Sequence, residues 1–85
     1  LCGTGIGMSI AANKVDGIRA ALCHDKETAA LSRQHNDANV LAVGARINSI
    51  ENILDIVDTW LEEKFLGDRH KRRVEKIMAI EKENS

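Results

Sequence analysis

Proline and tyrosine are absent from the 85 residues, and phenylalanine and tryptophan occur once each. Without proline there is no polyproline linker or Pro-rich recognition segment. One Phe and one Trp leave no interleaved aromatics on which the bases of a single-stranded nucleic acid would stack. A net charge of −1 sets up no global field for nucleic acid or an anionic membrane. Two cysteines make no disulfide scaffold, and no Cys/His spacing matches a zinc site, so no metal and no cofactor are expected. No apolar run approaches the ~20 residues that span a bilayer, and a basic stretch leading into an apolar one, the mark of a signal peptide, is not seen. A cytoplasmic protein is the expectation. What remains is ordinary globular composition, 44% hydrophobic and 29% charged, which argues for a packed core rather than a disordered tail.

The chain opens on Leu1-Cys2 and runs at once into Gly3-Thr4-Gly5. A glycine turn of this kind normally follows a strand, so residues 1–85 read as the C-terminal part of a larger single domain. Alone, a chain of this length buries only ~60–65% of its unfolded surface and is marginal. Short apolar runs alternate with helical patterns. Residues 8–14 (MSIAANK) form a short helix of small residues, and Asp16-Gly17 is a turn signal. Residues 18–23 (IRAALC) and 39–43 (NVLAV, closed by Gly44) suit buried parallel strands. Asp25 is placed to cap the helix DKETAALSRQH, with Glu27 near its positive end.

The next helix carries Ile50, Ile53, Leu54, Val57, Trp60, Leu61 and Phe65 on an i, i+3, i+4, i+7 stripe. Asn48 and Glu51 have capping-box spacing, and Gly67 is the expected stop. A last helix from Asp68 puts Val74, Ile77 and Met78 on one stripe and frays over EKENS. This alternation predicts an α/β layered domain with a parallel sheet.

Four features carry chemistry. First, Gly3, Gly5 and Gly7 let the backbone turn from strand to helix, so that amides converge at a positive helix end and form an anion site. The loop lacks the Lys-Ser/Thr of nucleotide hydrolases, and Met8 stands where a dinucleotide fingerprint has its third glycine. A plain turn is the alternative, but it would not need alternate glycines. Second, Cys2 lies before this loop at the carboxyl end of a strand, where α/β sheets bind ligands. Either it is a reactive thiol favoured by those amides, or it is a small inert hydrophobe. Cys23 reads as core, and His24 as a surface or cap residue.

Third, Gln34, His35, Asn36 and Asp37 sit between a helix and a strand. His35 is either a proton carrier or a helix-end histidine interacting with the dipole. Arg46, just past a strand, meets an anion or only solvent. Fourth, Arg69, His70, Lys71, Arg72 and Arg73 open the final helix at the wrong end for cations, and Arg69 and Arg73 share a face and repel. Asp68 as N-cap offsets only part of this. A phosphate resolves the repulsion, since arginine offers forked donors to its oxygens. A solvated basic patch is the alternative.

The ordered segments CGTGIGMSIAANK, GIRAAL, SRQHNDANVLAVGAR, DTWL and GDRHKRRVEKI resemble the C-terminal half of type B ribose-5-phosphate isomerases. The wider family also includes isomerases of galactose 6-phosphate and allose 6-phosphate. The resemblance implies a Rossmann-like three-layer α/β/α sandwich with a five-stranded parallel sheet. It implies a homodimer, or a dimer of dimers, with active sites shared between chains, and a sugar phosphate as the small-molecule partner. It gives Cys2 the role of catalytic base, His35 that of opening the sugar ring, and Thr4 that of a helper in proton movement. Gly3, Thr4, Gly5, Ile6 and Gly7 become the amide cradle for an enediolate. Asn36 and Arg46 become substrate contacts, and Arg69 and Arg73 phosphate contacts that reach across the dimer. The family's N-terminal half, with an Asp-His pair that helps bind the sugar phosphate, lies outside this sequence. Residues 1–85 alone are therefore expected to be inactive. The remaining alternatives are a hexose 6-phosphate isomerase and a non-catalytic phosphate- or nucleotide-binding module.

Overall fold

The computed structural model describes residues 1–84. The elements run α1 (Ile6–Ala12), β1 (Ala20–Leu22), α2 (Lys26–Asn36), β2 (Val40–Ala42), α3 (Ile50–Glu62) and α4 (Arg69–Glu83). β1 and β2 pair in parallel, with Ala20 opposite Val40 and Leu22 opposite Ala42. A third parallel segment joins through the bridge between Cys2 and Gly44. Cys23 N–H donates to the Ala42 carbonyl, whereas Cys2 N–H donates to that of Val43. Neighbouring residues of a strand point their carbonyls to opposite sides, so the Cys2 segment and β1 flank β2. The chain thus moves two places across the sheet through α1 and one place back through α2. Right-handed crossovers then put α1 on one face and α2 on the other. That is the α/β/α layering expected, although the strands are shorter than the apolar runs that signal them.

The core joins Cys23, Ala29, Val43 and Ile56, with Ile53 and Trp60 packed against it. Arg33 lies over the Trp60 ring at 4.3 Å and so ties α2 to α3 through a cation–π contact. α2 begins as expected. The Asp25 carboxylate accepts from Thr28 N–H at 2.7 Å, and Thr28 completes a capping box. That bond, with a second from the Thr28 hydroxyl, holds the Asp25 carboxyl below its usual range. The outer edge of β1 is covered by Asn13, whose side-chain amide exchanges two hydrogen bonds with the Ala20 backbone. A side chain here does the work of a further strand and blunts the edge.

Several boundaries differ from the sequence reading. α1 starts earlier, at Ile6, so the second half of the glycine loop is already helical. The cap of α3 is Ser49, which accepts from Asn52 N–H at 3.1 Å. Asn48 is committed elsewhere, donating to the Gly44 carbonyl and accepting from Asn52. Gly67 does not stop α3, which ends at Glu62. Glu63 is extended and accepts from the Gln34 side chain, and Leu66 N–H donates to the Gln34 carbonyl, so the connection is drawn along the end of α2. Asp68 makes no side-chain cap bond at the start of α4 and has φ 52. α4 holds its helix to Glu83 rather than fraying at Glu81, whose carboxylate accepts from Gly17 N–H; Ser85 lies outside the described residues.

The apolar stripes are only partly covered. Ile53, Ile56 and Trp60 face inward on α3, while Ile50, Leu54 and Leu61 are exposed. On α4, Val74 is buried but Ile77 is exposed.

Gly44 fixes the meeting of the sheet with the glycine loop. A Cβ there would lie 2.5 Å from the Thr4 carbonyl oxygen and 2.6 Å from its carbon, both of them backbone atoms that cannot swing aside. Gly44→Ala in the full-length chain is expected to cost about 1–3 kcal/mol through overpacking. Gly7→Ala, whose Cβ meets no atom within 4 Å, should hold or raise stability. Denaturant midpoints of the two variants check this, and equal midpoints would refute it.

Candidate active site

One group of predicted site residues assembles at the carboxyl edge of the sheet. Cys2 is half-buried with a free thiol, and its backbone is pinned on both sides, N–H to Val43 and carbonyl from Ala45 N–H at 2.6 Å. The chain then turns through Gly3 to Gly5. Gly5 is buried at φ 87, a region that disfavours side chains, and serves as N-cap of α1. Thr4 Oγ1 accepts from Ile6 N–H at 3.4 Å. The N–H groups of Gly7 and Met8 follow in the first turn, where no carbonyl of the helix reaches them. Arg46 N–H donates to the Gly3 carbonyl at 2.9 Å, and the Arg46 guanidinium lies beside Gly3. Cys2, the loop amides and one guanidinium thus share a site, and a small depression on the far side of the loop is lined by Thr4, Ile6, Leu22, Cys23 and Ile47. The arrangement suits an anion formed close to the thiol.

Cys23, by contrast, is 1% exposed. Burial pushes its thiol up, against the weaker pull of hydrogen bonds with Ser32 and Thr28.

The second group lies at the opposite edge. α2 leaves β1 at its carboxyl end and returns to the start of β2, so its last residues stand at the amino edge of the sheet. Eleven residues of helix cover about 16 Å. His35 and Asn36 belong to the last turn of α2 rather than to a connecting loop, and Asp37 closes the helix at φ 48. The Arg19 guanidinium fixes this corner by donating twice to the Asp37 carbonyl, at 2.9 and 3.0 Å.

α4 begins against the same corner. The His70 ring stacks on His35, with centroids 4.1 Å apart and planes 9° apart. Arg69 and Arg73 are exposed on either side of His70. The pKa of His70 is pushed down by burial first, then by His35, Arg69 and Arg73, while Asp68 pulls weakly the other way.

One chain therefore brings Cys2, Gly3–Gly7 and Arg46 together at one edge and His35, Asn36, Arg69 and Arg73 at the other. It does not bring the two groups together. A groove of about 690 Å³ between β1 and the end of α4 is lined by Asn36 but by none of the other residues in either group. His70 is the residue that sequence reasoning missed, because it was read as one cation among five. The signal was present, since His70 precedes Val74 by four residues and so falls on the inward stripe of α4.

A parallel α/β sheet with a glycine loop at its carboxyl edge defines a Rossmann-like ligand-binding domain. Comparison with known proteins narrows this. Residues 1–77 match the Ribose/Galactose Isomerase family. Ribose-5-phosphate isomerase B of Escherichia coli K12 is 57% identical over 81 residues, 95% of this chain and 54% of that protein. D-erythrulose-4-phosphate isomerase of Pectobacterium atrosepticum is 52% identical over 91% of this chain and 51% of its own length. The crystal structure of ribose-5-phosphate isomerase B from Mycoplasma genitalium with bound ribulose-5-phosphate superimposes with a TM-score of 0.94 at 50% identity, over 96% of this chain and 54% of that one. The chain belongs to the ribose/galactose isomerase family. It spans about half the length of these relatives. No helix among the described residues is long and apolar enough to cross a membrane.

Proposed function

We propose that this chain is the C-terminal part of an aldose–ketose isomerase that interconverts ribose 5-phosphate and ribulose 5-phosphate. His35 assists opening of the furanose. The Cys2 thiolate removes a proton from the carbon next to the carbonyl. The amides of Gly3–Gly7, with Thr4 beside them, stabilise the oxygen charge of the enediolate, and the proton returns to the neighbouring carbon. Asn36 and Arg46 hold the sugar, and Arg69 and Arg73 hold the phosphate. The observation that carries this reading is the placement of thiol and amide loop at one edge and of histidine and arginines at the other. Such halves form one centre when the amino edge of a second copy faces the carboxyl edge of the first, as in a homodimer or a dimer of dimers. The exposed Ile50, Leu54 and Leu61 agree with a chain that needs further covering surface. On this reading residues 1–85 alone do not turn over substrate.

A second substrate reading is favoured by the family's own description, which includes galactose isomerases, and by the tetrulose-phosphate isomerase among the relatives. Assays of the full-length chain on four-, five- and six-carbon sugar phosphates separate the readings. Ribose 5-phosphate should give the largest kcat/KM. A larger value for a tetrose or hexose phosphate overturns the substrate assignment, and binding without turnover of any of them points to a phosphate-binding module instead.

A further inference from the structure

We propose that His70 is a positioning residue that sets the plane of the His35 imidazole. The proposal rests on the ring-opening role given to His35 above. His70 lies in the first turn of α4 with 6% of its surface exposed, its ring flat against that of His35 at 4.1 Å. Its Nδ1 is buried with no hydrogen-bond partner among the described residues. Val74, one turn on along the same inward stripe, shows what packing alone selects there, a plain aliphatic side chain. Burying an imidazole nitrogen without a partner is unfavourable, so stability does not account for the residue.

The flat face does account for it. The terminal torsion of a histidine is broad, and His35 sits in the final turn of α2. A ring stacked at 4.1 Å with planes 9° apart narrows that torsion and fixes the plane in which the His35 nitrogens lie. Burial, His35, Arg69 and Arg73 all disfavour a proton on His70, and only Asp68 favours one.

The test uses the full-length chain. His70→Leu keeps an apolar side chain of similar bulk but removes the flat face, and His70→Phe restores it. With ribose 5-phosphate, His70→Leu should lower kcat by about tenfold or more with KM changed by less than about threefold. His70→Phe should regain most of that loss. Ribulose 5-phosphate has no free 5-hydroxyl and stays open, so wash-in of solvent deuterium at its C1 reports proton transfer without ring opening. That rate should stay within about threefold in His70→Leu.

The His35 ring protons should show an upfield shift from the overlying ring in the wild type and in His70→Phe, and lose it in His70→Leu. Should His70→Leu fail to fold, His70→Met provides the same comparison. A His70→Leu chain that turns over ribose 5-phosphate as fast as wild type, or a His70→Phe chain as slow as His70→Leu, overturns the proposal. If His35→Asn leaves turnover intact, the ring-opening reading fails and takes the proposal with it. If His35→Asn slows turnover and His70→Leu does not, only the positioning role fails.

Discussion

Cys2→Ser in the full-length chain should lower turnover of ribose 5-phosphate by about 10²–10⁴-fold, with KM moved by less than about threefold. A serine hydroxyl is far too weak a base at neutral pH to take a proton from carbon, whereas a thiolate can. Serine is also close to cysteine in size, and the Cys2 backbone is pinned between Val43 and Ala45, so the loop should keep its shape. The phosphate contacts are assigned to Arg69 and Arg73 on the other edge, which is why binding should survive while chemistry does not. Alkylation gives an independent readout. Cys2 is half-buried, whereas Cys23 is 1% exposed and its thiol is pushed up by burial. Cys2 should therefore react first, and ribose 5-phosphate should protect it. A Cys2→Ser enzyme of undiminished kcat, or equal labelling of both thiols regardless of substrate, would remove Cys2 from the role of base.

The layered α/β order was legible because the apolar runs around β1 and β2 are short, continuous and set off by turn signals, which few other arrangements share. The cap at Asp25 was legible because one side chain decides it locally. The cap of α3 was not. Asn48 and Ser49 are neighbours and both suit a helix start, and the choice falls to Ser49 only because Asn48 is held by the Gly44 carbonyl across the fold. The covered width of α3 was equally hidden. Periodicity marks Ile50, Leu54 and Leu61 as apolar but is silent on what lies over them.

At the site, residue type and neighbours marked the candidates but left an alternative open at each, and only the resemblance put Arg69 and Arg73 across a dimer from Cys2. The split into two edges follows from the direction of α2 between two parallel strands, a tertiary fact. His70 went unnoticed for a related reason. Its charge class was plain in the run RHKRR, while its stacking partner lies on another helix.

That split gives the second large effect its sharpest form. Cys2→Ser is one inactive variant, and Arg69→Ala with Arg73→Ala is another. Mixing equal amounts under conditions that exchange subunits should restore roughly a quarter of all sites. Half of the two-fold assemblies are then mixed, and each of these holds one site with an intact Cys2 from one copy and intact arginines from its partner. The control pairs two lesions on one edge, His35→Asn with Arg69→Ala and Arg73→Ala. His35 and α4 meet at a single corner of the chain, through the stack with His70. Every site in that second mixture draws its amino-edge group from one damaged copy or the other, so no activity should return. Recovery in the first mixture alone is the signature of sites shared between opposite edges. If the arginines served the Cys2 of their own chain, the first mixture would stay as inactive as the control despite proven exchange, and the shared centre would have to be abandoned.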